Sequence, residues 1–190
     1  MIVVCGNLAP VGRHDGLAVG IARRAAASVA SVQVIGIVAD GPDGDRQLIR
    51  LASAGVGHSA VLRTAPRALE PADVELALHY LPDIRVVIAA AVAPSLVAVM
   101  AEGAAYAGAG LILIGDDRAM SSATGLQDST IVLQAPPDDP DGTFAGFVGA
   151  LAVKLDGGAD PGVAWTATVR DLAADPVTPG PGRRGRAPAG

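Results

Sequence analysis

Acidic residues gather at two places where a strand hands over to a helix. One is 40–44, Asp-Gly-Pro-Asp-Gly, directly after an apolar run; the other is 138–141, Asp-Asp-Pro-Asp, directly before a helical stretch. Carboxylates so placed either meet a ligand at the edge of a sheet or accept the free N–H groups of a helix start. Asp141 reads as a helix cap, and Asp40 sits at the C-terminal end of its strand, where open α/β sheets bind their ligands. His14-Asp15, beside Asn7 and Asp40, is the best polar cluster by location, although Asp15 reads first as an N-cap.

Other chemistry is absent from the pattern. His14, His58 and His79 fall on separate elements with no Cys or carboxylate pair at metal-ligand spacing, so they read as surface or satisfied histidines. Cys5 is the only cysteine and lies in an apolar run, which fits a buried, inert thiol. Ser121-Ser122 lack a G-x-S-x-G context, and no G-x-x-x-x-G-K-[ST] phosphate loop occurs. Arg183, Arg184 and Arg186 give a tail only weak, salt-sensitive attraction for a polyanion.

The elements that must position these groups alternate along the chain. Val32, Val34, Ile35, Ile37 and Val38 form a run suited to a strand buried on both faces. Gly and Pro at 41–44 then make a turn, and Leu48, Ile49, Leu51 and Ala52 recur at helical spacing until Gly55 ends the helix. The same reading predicts strands at 2–5, 59–63, 85–90, 111–114 and 130–134. It predicts helices at 15–29, 72–81, 94–106, 142–155 and 160–173, with a short helix and a turn near Gly125 within 116–127. Near-continuously apolar strands alternating with helices imply a three-layer α/β/α domain around a mostly parallel sheet. Residues 1–174 form that domain, and the Pro/Gly-rich 175–190 reads as a disordered tail.

Composition narrows the partners. At 190 residues the chain buries a sizeable core, and 51% of it is hydrophobic, mostly Ala and Val rather than aromatic. A net charge of −5 argues against nucleic acid or an anionic membrane as the main partner. The longest apolar run, 86–100, contains Pro94 and Ser95 and falls short of a membrane span. With no basic region ahead of the first apolar residues, a cytoplasmic location is expected. The apolar surplus suits a homodimer or a protein partner.

The order Gly36-x-Val38-Ala39-Asp40-Gly41-Pro42-Asp43-Gly44-Asp45, a helix, then Ala54-Gly55-Val56 resembles the signature of the ribokinase-like (PfkB) carbohydrate and nucleoside kinases. The strand running into Gly6-Asn7, the Ala-rich helix from Gly16, the strand at 83–89 and Phe147-Val148-Gly149-Ala150 follow in that family's order. The resemblance implies a ribokinase-like fold, with substrate contacts falling to Asn7, Asp15, Gly16 and Asp40 and nucleotide contacts to Gly142 and Thr143. It also implies ATP and Mg²⁺ as cosubstrate and metal.

The departures from that pattern bear on function. Family kinases carry G-A-G-D before F-V-G-A, where the Asp is the base and the preceding amides hold an anion. Here Gly142-Thr143-Phe144-Ala145 stands over the motif, so the base becomes Ala145 and no cofactor is expected. Asp141, one turn earlier, is the remaining candidate base, and 138–141 the remaining place for Mg²⁺. The family's sugar-gripping acid falls near Pro10-Val11, its substrate-binding Asn is lost from 15–20, and 8–15 and 64–71 are too short for lid strands. The residues therefore favour a lidless ribokinase-like domain that binds a small molecule or a protein without phosphoryl transfer. The alternatives are a reduced kinase acting on a carbohydrate or nucleoside hydroxyl, and an adenine-nucleotide sensor.

Overall fold

A computed structural model describes residues 1–9, 16–28, 30–115, 126–127 and 129–174. Its strands are β1 (Ile2–Gly6), β2 (Val32–Ala39), β3 (Gly57–Thr64), β4 (Val86–Ala90), β5 (Gly110–Gly115) and β6 (Ile131–Gln134). They form one six-stranded, wholly parallel sheet in the order β3-β2-β1-β4-β5-β6. Among the described residues the helices are α1 (Leu17–Ala26), α2 (Pro42–Ser53), α3 (Pro71–Tyr80), α4 (Pro94–Ala107), α5 (Thr143–Asp156) and α6 (Pro161–Ala174).

Parallel neighbours need crossovers, and these place the helices. Residues of α1, α2, α5 and α6 share one core with Ile2, Val4, Val34, Ile88 and Ile112. Residues of α3 and α4 share the other with Val3, Cys5, Val87 and Leu113. From β1 to β3 the chain steps one way with its helices on the first face; from β3 to β5 it steps back with them on the second. All four crossovers therefore have the same hand, as strand twist requires. Strands β1 and β4, in the middle, are buried along their whole length, which is why they read as unbroken apolar runs. None of the described helices is long and apolar enough to cross a membrane.

Several boundaries differ from the sequence expectation for physical reasons. The turn after β2 is only Asp40-Gly41, because Pro42 already occupies the first turn of α2, where a missing N–H costs nothing. Asp43 and Asp45 then lie in the positive first turn of that helix. Ile49 and Ala52 do not face the core, and Ile49 is 64% exposed. The inward stripe instead runs through Gly44, Gln47, Leu48 and Leu51, and Ile49 falls to one side of it. Helix α1 stops at Ala26 rather than near residue 29, while β3 extends to Gly57 and Thr64 with a register shift between Gln33 and Ile35 of its partner strand. The connection from β3 to α3 is residues 65–70 and contains no strand. The expectations for 116–125 and for 175–190 lie outside the described residues.

One close approach fixes α2 on the sheet. A Cβ on Gly44 would stand 1.9 Å from the carbonyl oxygen of Ala39, a backbone atom that cannot step aside. Gly44→Ala is therefore expected to cost at least about 2 kcal/mol, lowering the thermal midpoint by several degrees. Gly146→Ala in α5, where a Cβ would meet nothing within 4 Å, is the control. It should be neutral or stabilise by up to about 1 kcal/mol in the same unfolding experiment.

Candidate functional site

The strand order reverses direction between β1 and β4, and a crevice opens at their C-terminal ends, the place where such sheets bind ligands. Its volume is about 460 Å³. Gly6 from β1 and Asn7 just after it, Ala39 from β2, Arg67 and Leu69 from the β3–α3 connection and Ala91 to Ala93 after β4 all border it. Gly6 is required there, since a Cβ would meet the Ala90 carbonyl oxygen at 2.7 Å and the Ala18 Cβ at 2.9 Å. Ala91 has a φ of 52°, a left-handed backbone unusual for a residue with a Cβ, and its N–H donates to the Ile114 carbonyl at 2.9 Å.

The polar groups of the crevice are largely committed. Asn7 Oδ1 accepts the N–H of Ala9 at 2.9 Å, which folds the loop back on itself, and its amide NH₂ has no partner among the described residues. The Arg67 guanidinium donates to both oxygens of Asp73, at 2.6 and 2.9 Å, and to the Ala68 carbonyl at 2.9 Å. Asp73 in turn accepts the N–H of Glu70 at 3.0 Å, closing the start of α3. The hydrogen bond from Arg67, aided by that backbone N–H and by the guanidinium charge, holds the Asp73 carboxyl below its ordinary range. No carboxylate or imidazole is among the described residues that line the crevice.

The second candidate region is the start of α5. Asp139, not Asp141, caps this helix: its two carboxylate oxygens accept the N–H groups of Phe144 at 3.0 Å and Ala145 at 2.9 Å. Gly142 takes the N-cap position in a left-handed conformation, φ 67°, so Asp141 is left exposed ahead of it. The Arg24 side chain from α1 reaches this end, its Nη2 lying 3.2 Å from where a Gly142 Cβ would be. Thus the cationic helix start already holds an anion, and that anion belongs to the chain. The residues do not fit a bound phosphate here: the two amides are taken, and Thr143 and Phe144 bring side chains where close backbone approach needs none. Nor do Asp138, Asp139 and Asp141 converge, since among the described residues no three acidic, His or Cys groups are placed to hold a metal.

The structure brings some sequence-derived positions together and separates others. Gly16 caps α1 and abuts the Asn7–Ala9 loop, with a Cβ there 2.7 Å from the Ala9 carbonyl, so it neighbours Asn7, although only Asn7 of the two lines the crevice. Asp40 is exposed at the end of β2, its N–H bonded to the Thr64 carbonyl at 3.2 Å, and it does not line the crevice. Asp15 and His14 lie outside the described residues. Cys5 is buried as expected, and desolvation pushes its thiol up to about 12. His79 packs edge-on against Tyr80, but His58 departs from expectation, with an enclosed Nδ1 that has no hydrogen-bond partner among the described residues. Sequence reasoning missed Arg67 and the Ala91–Ala93 loop, which become visible only once β4 is known to lie beside β1.

No family model matches the sequence, and no curated protein does. Solved structures do match. The aminoimidazole riboside kinase of Salmonella enterica, complexed with aminoimidazole riboside and an ATP analog, aligns with a TM-score of 0.63 at 14% identity over 91% of each chain. The tetrameric inhibited form of phosphofructokinase-2 from Escherichia coli aligns with a TM-score of 0.61 at 12% identity over 90% of each chain. At such identities the likeness is one of fold: the chain has the ribokinase-like α/β/α architecture.

Two outcomes test these assignments. Asp139→Ala should lower stability by about 0.5–2 kcal/mol, as for loss of a helix cap, while Asp141→Asn should change it by no more than about 0.5 kcal/mol, both read by denaturant unfolding. Because the Asp73 carboxyl is held low in the folded state, its contribution is present above the unfolded carboxylate range and is lost as pH falls through the folded value. Asp73→Asn should therefore be less stable than the parent at neutral pH, with the gap closing on acidification below about pH 4.

Proposed function

We propose that this chain is a ribokinase-like domain that binds a small, largely apolar molecule in the β1–β4 crevice and carries out no phosphoryl transfer. The observation that carries this reading is the Asp139 carboxylate seated on the Phe144 and Ala145 amides. In the resembled kinases the equivalent helix start holds an anion beside the catalytic Asp; here the anion is internal and the Asp position is a methyl group, Ala145. A phosphate arriving there must displace a charged cap and approach Asp138 and Asp141 as well, against like-charge repulsion.

The chemistry of the crevice points to the ligand class. Ile37, Leu69, Val92 and Leu96 give it apolar walls, and its described polar side chains are Asn7 and an Arg67 already paired with Asp73. A sugar with several hydroxyls would leave most of them without partners on these walls, at a cost for each. A compact molecule with one acceptor for the Asn7 NH₂ loses nothing. No cofactor follows from this reading. A second reading, a minimal carbohydrate or nucleoside kinase using ATP and Mg²⁺, is favoured by the structural neighbours, an aminoimidazole riboside kinase and a phosphofructokinase. An adenine-nucleotide sensor is its non-catalytic form.

A thermal-unfolding panel separates the readings. Acetophenone and benzamide, each with a carbonyl acceptor on an apolar ring, tested against ribose, adenosine, ADP and ATP with Mg²⁺, should be the compounds that raise the midpoint. A compound at about 100 times its Kd adds about 2.7 kcal/mol, a shift of about 5–10 °C for a chain of this size. Stabilisation by ATP alone would support the sensor. ADP release that depends on an added sugar or nucleoside would overturn the proposal in favour of the kinase.

A further inference from the structure

Helices α3 and α4 leave a groove of about 530 Å³ between them on the second face of the sheet. Leu78 and Ile84, both buried, form its floor, and Val99 and Tyr106 give it apolar flanks, with Tyr106 91% exposed. The helices approach closely beneath it because Gly103 lies against Leu78, where a Cβ would stand 2.5 Å from Leu78 Cδ1.

Three exposed carboxylates border the same groove: Glu75 on α3, Glu102 on α4 and Asp83 in the turn before β4. Among the described residues none of these carboxylates has an ion pair or a hydrogen bond, and no Lys or Arg lines the groove. An apolar channel bordered by unpaired acids selects a cationic occupant. A second copy that offered the same groove would set acid against acid.

The chain itself carries a segment of the matching kind. Residues 176–190 contain Arg183, Arg184 and Arg186 and no acid. Pro176, Pro179 and Pro181 precede the arginines, and prolines so spaced favour the extended form in which proline-rich segments lie in grooves beside aromatic rings.

The segment also starts within reach. Asp171, near the end of α6, is paired with Lys154 at 2.9 Å. Two residues on, Asp156 holds the Met1 ammonium at 2.7 Å, and that ammonium donates to the Asp83 carbonyl at 2.9 Å. Followed atom by atom, this path puts Asp83 no more than about 30 Å from Asp171, and the nine extended residues from Asp175 to Arg183 span about 30 Å. Asp83 and Ile84 also border a depression that runs to Pro161 at the start of α6, so the groove opens toward this end of the molecule.

We propose that residues 175–190 fold back across the edge where the strands begin and seat Arg183, Arg184 and Arg186 on the carboxylates of the α3–α4 groove of the same chain. Arg183 meets Asp83 first, and the later arginines meet Glu102 and Glu75. Each exposed ion pair is weak alone, but tethering holds the segment at an effective concentration in the range of about 1 mM. The contact therefore depends on salt and not on protein concentration. It leaves the β1–β4 crevice, at the opposite edge of the sheet, open.

Because Cys5 is buried, a nitroxide on Ala187→Cys marks the segment alone in the full-length chain. At an ionic strength of about 10 mM, where charge acts over about 30 Å, the amide NMR signals of Glu75, Glu102 and Gly103 should lose most of their intensity, while those of α2 keep theirs. At about 1 M salt, with a screening length of about 3 Å, the lost signals should return. Glu75→Arg with Glu102→Arg, at exposed sites that leave the fold intact, should abolish the loss. Adding Arg183→Glu and Arg184→Glu to that chain should restore it, which a merely structural effect of the groove variants would not. Isotope-labelled copies mixed with spin-labelled copies that carry no isotope should show no loss. Broadening spread evenly over the chain, broadening that survives high salt or the reversal of charge, or equal broadening in the mixture would overturn the proposal.

Discussion

The ladder between β1 and β4 is the contact on which the remainder of the molecule depends. Five consecutive residue pairs, from Ile2 with Val86 to Gly6 with Ala90, join two strands that are far apart in sequence and buried on both faces. Because each crossover must have the same hand, the choice of β4 as neighbour of β1 sends α3 and α4 to the face opposite α1 and α2. It also creates the only point in the order where consecutive crossovers leave in opposite directions, and hence the crevice. Gly6 is where this constraint is most acute: with backbone 2.7 Å from its missing Cβ, the ladder and the crevice floor are one feature.

Electrostatics at the start of α5 follows from that frame. The helix begins at the same edge of the sheet as the crevice, packs against α1 and brings its unpaired amides beside Arg24. Such a site attracts an anion. A carboxylate tethered five residues away reaches it without the translational cost that a free ligand must meet, so Asp139 holds the position against any phosphate of similar intrinsic affinity. The absent base at Ala145 and the occupied amides are independent departures that act in the same direction, one on chemistry and one on binding.

Much of the architecture was legible because it rests on local pattern. Apolar runs at β1, β2, β4 and β5, Pro94 at a helix start and the left-handed Gly108 after α4 are signals that tertiary contacts reinforce. The site was less legible. Asp141 stands where spacing expects the cap, yet Asp139 takes that role, because the outcome depends on the turn made by Pro140 and Gly142, which periodicity does not encode. Ile49 looked inward because it is apolar, yet the stripe was set by Gly44, a residue with no side chain, pressed against Ala39. The crevice walls come from three connections and the end of β2, and only the strand order reveals that they meet.

Helix α6 forms where the sequence pattern places a helix, but the pattern does not say which side turns inward. Val163, Trp165, Val169 and Leu172 supply ample apolar character. The core face, however, is claimed by Ala164 and Thr168, because α5 already fills the space over the centre of the sheet and leaves room only for small side chains. A large residue forced inward there would overpack, at about 1–3 kcal/mol, whereas one left outside forgoes about 1.5–3 kcal/mol of burial. The two terms are close in size, so the helix keeps its small residues inward and leaves Trp165, Val169 and Leu172 half-exposed on the flank beside them.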